Sequence, residues 1–80
     1  MLQNRLQQLA TNDDGFCFDP RTGETYQLNE TAQVLLMELK RGRSESEAAT
    51  LLAADFGISI HEAEADTQEF IQLLKMNGIA

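Results

Sequence analysis

The chain has 80 residues, 42% hydrophobic and 24% charged, which is the make-up of one folded domain spanning 1–80 and excludes a disordered segment. Thirteen acidic against six basic residues give a formal net charge of −7; such a surface repels a phosphate backbone but admits a neutral or basic peptide. One cysteine, Cys17, and one histidine, His61, allow neither an intrachain disulfide nor a metal cage. No apolar run reads as a signal peptide or membrane span, so a reducing cytoplasm is the expected compartment.

Residues 2–10 carry two readings. Leu2, Leu6 and Leu9 repeat at helical spacing, whereas the hairpin that follows needs a third strand or a helix behind it, because two strands alone are marginal in water. Gly15-Phe16-Cys17-Phe18 alternates as a strand does. It runs into Asp19-Pro20-Arg21-Thr22-Gly23, where Pro20 suits the first central position of a type I turn and Asp19 can accept a hydrogen bond at its start. Gly23 can take the left-handed conformation that returns the chain. Glu24-Thr25-Tyr26-Gln27-Leu28 is the returning strand, with Tyr26 and Leu28 on one face and Thr25 and Gln27 on the other.

A helical half begins at Asn29, an N-cap residue followed by Glu30 in the favourable first turn. Ala32, Leu35, Leu36 and Leu39 form its apolar stripe. Gly42 stops it amid Lys40, Arg41 and Arg43, cations that suit a helix C-terminus. Ser44 with Glu47 spells a capping box for a second helix with Ala48, Leu51, Leu52 and Phe56 inward, ending at Gly57. Ser59 with Glu62 spells another, opening a third helix with Ala63, Thr67, Phe70, Ile71 and Leu74 inward and Gly78 at its end. The fold class is therefore α+β: an N-terminal antiparallel hairpin or three-stranded sheet, then three α-helices, the order of a winged helix with its wing placed first.

Catalytic chemistry finds little support. The sole thiol–imidazole pair, Cys17 and His61, joins a strand to the first turn of the third helix, without the electropositive setting that makes a thiol reactive. Glu62, Glu64, Asp66 and Glu69 scatter around a helix axis, so they are a solvated face and not a calcium loop. No phosphate-cradling glycine loop is present, and no cofactor is expected. Nucleic-acid binding is the main alternative for a winged helix. Yet from Ser44 onward Glu45, Glu47, Asp55, Glu62, Glu64, Asp66 and Glu69 face Lys75 alone, the wrong sign for a recognition helix. What remains is the returning strand: Thr25-Tyr26-Gln27 is β-prone and uncharged, an edge that either pairs with an extended peptide or is covered by a helix or the N-terminal segment.

These residues resemble the PqqD family, named for pyrroloquinoline quinone synthesis protein D. The resemblance rests on Phe16-Cys17-Phe18-Asp19-Pro20-Arg21-Thr22-Gly23, on Tyr26-Gln27-Leu28-Asn29-Glu30-Thr31-Ala32, on Leu39 and Gly42, and on Asp66, Phe70, Leu74 and the closing Gly78-Ile79. It implies three strands before three helices, and a recognition element for ribosomally made peptides that are modified later. It further implies that the leader of the precursor adds as a strand beside the third strand, against the third helix. The binding residues would be Thr25, Tyr26, Gln27 and Leu28 on the strand and Asp66, Phe70 and Leu73 on the helix; Leu73 lies off the helix's core line. In the founding pathway the peptide passes to a radical-SAM enzyme.

The reading is thus a non-catalytic peptide chaperone or adaptor whose partners are a leader peptide and a modifying enzyme. The alternatives are a DNA-binding winged helix and a structural subunit that dimerises through its edge strands. Tyr26→Pro is expected to abolish guest pairing if this strand is the docking edge, checked by peptide titration with circular dichroism as the control for folding.

Overall fold

The computed structural model describes residues 6–79. Three strands, β1 (Ala10–Thr11), β2 (Phe16–Asp19) and β3 (Glu24–Gln27), precede three helices, α1 (Glu30–Lys40), α2 (Glu45–Phe56) and α3 (Ile60–Met76). The strands form an antiparallel sheet in the order β1-β2-β3, which leaves β3 at one edge. The two readings of the N-terminal segment each hold for part of it. Residues 6–8 are helical and the strand starts at Ala10; Leu6 and Leu9 are both buried, while Leu2 lies outside the described residues.

The β2–β3 hairpin pairs Phe16 with Gln27, Cys17 with Tyr26, Phe18 with Thr25 and Asp19 with Glu24. As the sequence suggested, the Asp19 carboxylate accepts from the Arg21 amide (3.0 Å). The loop closes where the Gly23 amide donates to the Asp19 carbonyl (2.8 Å), with Gly23 at φ +79°. Cys17 and Asp19 point inward; Phe16 and Phe18 lie on the outer face, each about two-fifths exposed. The expected alternation along β3 is present, with Tyr26 half-buried and Thr25 and Gln27 exposed.

The helix starts behave as capping chemistry requires. Asn29 Oδ1 accepts from the Ala32 amide (2.8 Å). Ser44 and Glu47 form the full reciprocal box, Oγ accepting from the Glu47 amide and the Glu47 carboxylate from the Ser44 amide. At Ser59 only half of the expected box is made: its hydroxyl accepts from the Glu62 amide, whereas the Glu62 side chain makes no return bond. The basic residues at the end of α1 and just past it have specific partners beyond the helix dipole. Arg41 and Arg43 both reach Glu38 (3.2 Å each), and the Lys40 ammonium donates to the Leu9 carbonyl (2.7 Å), tying α1 to the N-terminal segment.

The core joins Leu6, Leu9 and Cys17 to Leu35, Leu36 and Leu39 of α1, Ala48, Ala49 and Leu52 of α2, and Ala63, Phe70, Ile71 and Leu74 of α3. The inward set anticipated for α3, including Thr67, is buried throughout; the Thr67 hydroxyl is satisfied by the Ala63 carbonyl (2.7 Å). In α2 the expectation needs correcting. Ala49 is buried, Leu51 is half-buried and Phe56 is exposed: the buried face centres on Ala48, Ala49 and Leu52, and Phe56, the last residue of the helix, lies beyond it. Phenylalanine contributes less to the core than its count suggests, since only Phe70 of the four is buried.

Gly15 joins the sheet to the helices. It lies at φ +88°, its carbonyl accepts from the Leu28 amide (2.7 Å), and a Cβ there would stand 2.6 Å from Gln33 Nε2 and 3.1 Å from the Leu28 carbonyl oxygen. Gly23 has a similar φ but nothing within 4 Å of such a Cβ. The pair separates backbone strain from contact. Gly23→Ala is expected to cost about 1–2 kcal/mol through left-handed strain alone, and Gly15→Ala about 0.5–1.5 kcal/mol more because Gln33 must move off the Leu28 carbonyl to which it donates, as measured by urea unfolding of the two variants.

Candidate functional site

The Leu28–Gly15 hydrogen bond sets the direction of every backbone group in β3. Residues opposite one another in an antiparallel pair alternate between exchanging hydrogen bonds and not doing so. With Leu28 donating to Gly15, Tyr26 and Glu24 also turn their amides toward β2. Thr25 and Gln27 therefore direct an N–H and a C=O each away from the sheet. Among the described residues no strand pairs with that outer side. This corrects the proline expectation: the Tyr26 amide belongs to the β2–β3 ladder, so proline there would break the hairpin, and position 27 is where an outward amide can be removed.

Beyond this edge lies a cleft of about 410 Å³ between β3 and α3. Thr25, Tyr26, Gln27 and Leu28 form its strand wall, and Phe70, Leu73 and Leu74 its helix wall; Leu9, Cys17, Leu36 and Ile79 lie at its floor and end. Six of the seven residues anticipated from the sequence thus line one cavity. The seventh, Asp66, stands in an adjoining recess of about 190 Å³ that shares Phe70 and Leu73 with the cleft and adds Asn29, Thr31 and Glu69. Leu73 is 55% exposed, consistent with its place off the core line of α3. Ile79 reaches the site because its amide bonds back to the Leu74 carbonyl (2.8 Å), folding the chain end under the cleft.

Six residues lining the cleft were not anticipated as part of the site. Leu9 read only as part of a helical repeat, Asn77 and Ile79 lie past the end of the last periodic helix, and Leu36 and Leu74 read correctly as core but carry no mark that one side faces a cavity. Cys17 had a usable signal, since hairpin register places it opposite Tyr26.

Burial pushes the Cys17 thiol above its ordinary range, a shift opposed in part by the Lys40 charge, and the side chain is only 2% exposed. His61 is solvent-exposed. Among the described residues no group of three or more histidine, cysteine or acidic side chains is placed to hold a metal ion, and no helix is long and apolar enough to cross a membrane. The Tyr26 hydroxyl donates to Glu24 (2.8 Å), and that bond raises its pKa by favouring the protonated phenol.

The Cys17 shift gives a pH dependence of definite sign. A thiol whose pKa is raised by folding stabilises the folded state fully below the unfolded thiol's pKa, and that contribution is lost as pH rises through the folded value. Cys17→Ala is therefore expected to show a shallower loss of stability on the alkaline side than the parent chain in urea unfolding across pH. In the folded parent, a thiol-reactive disulfide reagent should modify Cys17 much more slowly than after denaturation.

Comparison with known proteins follows the same lines. The family described as coenzyme PQQ synthesis protein D (PqqD) matches residues 15–80. A search of curated proteins finds no match. Among solved structures, a chain described as lasso peptide synthetase B1 complexed with the leader peptide is similar at 34% sequence identity and a TM-score of 0.75, over 88% of this chain and 84% of that one. With the hairpin, the helix-start motif and the three helices all inside the matched region, the chain belongs to the PqqD family.

Proposed function

We propose that this protein is a non-catalytic adaptor that binds the leader of a ribosomally made precursor peptide and presents it to a modifying enzyme. The observation that carries this reading is the apolar cleft beside an unpaired strand edge. A guest in extended conformation would hydrogen-bond the outward groups of Thr25 and Gln27 and drop alternate side chains between Tyr26, Leu28, Phe70 and Leu73. That is strand addition, with the main chain giving affinity and the cleft giving selectivity. The similar solved structure is described as complexed with a leader peptide, which supports the same class of guest here.

The partner enzyme is proposed by role, as a modifier of ribosomally made peptides; the radical-SAM enzyme of the founding pathway is the example that the family offers. A DNA-binding role has less support. Helix α3 is lined with acids, and Arg41 and Arg43 are engaged by Glu38.

Titration of the isotope-labelled protein with a leader peptide encoded in a neighbouring reading frame tests this directly. Amide resonances from Glu24 to Leu28 and along α3 should shift, and shifts confined to Lys40–Arg43 would count against the proposal. Leu73→Asp is expected to weaken binding by roughly tenfold or more, since one leucine's apolar contact is lost, while an exposed site leaves the fold intact. Gln27→Pro should keep the hairpin, as proline is tolerated on an edge whose N–H faces outward, and should weaken the same titration.

A further inference from the structure

The recess beside Asp66 and Glu69 bears on which peptides the cleft accepts, and the inference drawn from it rests on the peptide-binding reading above. Along β3 the surroundings change character. Beside Thr25 to Leu28 the walls are Leu9, Cys17, Leu73, Leu74 and Ile79. Where the strand passes into α1, at Asn29 and Thr31, the opposing wall is Asp66 and Glu69. The Asn29 carboxamide oxygen there is already committed to the Ala32 amide and the Thr31 hydroxyl, so the two carboxylates set the electrostatics at that end. Neither forms a salt bridge among the described residues, and Asp66 is half-buried.

We infer that the cleft selects guests in which a lysine or arginine flanks a pair of alternating apolar anchors, the cation lying over Asp66 and Glu69. The spacing follows from strand geometry. Guest residues opposite Tyr26 and Leu28 share the inward face, and side chains on one face recur every second residue. The next inward guest side chain beyond Leu28 passes Asn29 and meets the two acids. Pairing antiparallel to β3 continues the pattern of the sheet, whose ladders are both antiparallel and which is the more stable arrangement per residue. The cation then lies on the N-terminal side of the anchors, two residues before the first. A lysine or arginine suits the position because its apolar stem lies along Phe70 and Leu73 while its charge reaches the carboxylates.

The test uses a displayed library of random dodecapeptides selected on the full chain and on Asp66→Lys/Glu69→Lys, with Leu73→Asp as the control for use of the cleft; circular dichroism confirms that each variant folds. Peptides enriched on the parent should share the apolar alternation with lysine or arginine two residues N-terminal to it, and the charge-reversed variant should select glutamate or aspartate at that position. For one enriched peptide resynthesised with a fluorophore, Asp66→Asn/Glu69→Gln should weaken binding roughly three- to tenfold, and less so at high salt. Apolar alternation with no charged residue at a fixed place, or the cation on the C-terminal side, would overturn the inference while leaving the adaptor reading standing. Enrichment that persists unchanged on Leu73→Asp would overturn both, because the peptides would then be binding elsewhere.

Discussion

One hydrogen bond organises the working face of this molecule: the Leu28 amide on the Gly15 carbonyl, at 2.7 Å. It is the last rung of the β2–β3 ladder and lies one residue before Asn29, the N-cap of α1. The Leu28 carbonyl is held in turn by the Gln33 carboxamide (3.1 Å). Three successive residues therefore take three roles. Gln27 faces outward from the edge, Leu28 locks sheet to helix, and Asn29 caps α1. A right-handed residue at position 15 would displace the Leu28 carbonyl and with it the direction in which the edge of β3 points.

The cleft exists because α3 spends its core-facing side elsewhere. Ala63, Thr67, Phe70, Ile71 and Leu74 are buried, and α3 packs chiefly on α2, where small alanines permit close approach. The flank bearing Leu73 is left over β3 without closing on it. The result is apolar surface left open to solvent next to strand groups that bond only to water, and burying that apolar surface is the stabilisation the free domain forgoes. A leucine taken from water contributes about 1.5–3 kcal/mol, so filling such a cleft restores a useful fraction of what a small core lacks.

Most of the fold was legible because local chemistry and global packing agree. The Asp19–Gly23 loop, the Asn29 and Ser44 caps and the α3 stripe each state one instruction, and the structure obeys each. The misreadings fall where a residue's fate depends on distant partners. Phe56 has helical spacing and hydrophobicity, yet it is the last residue of α2 and lies beyond the buried face of Ala48, Ala49 and Leu52. The N-terminal segment mixes a helical turn with a two-residue strand, and so short a strand has no period to detect. Of the candidate site, the strand residues were visible as an uncharged, β-prone run, and Asp66, Phe70 and Leu73 came from family resemblance and not from pattern. Glu69 and the floor residues became apparent only in three dimensions, because a recess is a property of two elements and neither sequence segment records the gap between them.

The floor of the cleft is also the core. Cys17, Leu36, Leu74 and Ile79 line the cavity and are at the same time buried members of the core. Replacing any of them alters the cavity and the folding free energy together, so drift at these positions is penalised twice. Leu73, Asp66, Glu69 and Gln27 stand at the rim, where a change of shape or charge leaves the interior intact. In the proposed binding mode a change of guest can therefore be met at these few rim positions, while the scaffold beneath stays as it is.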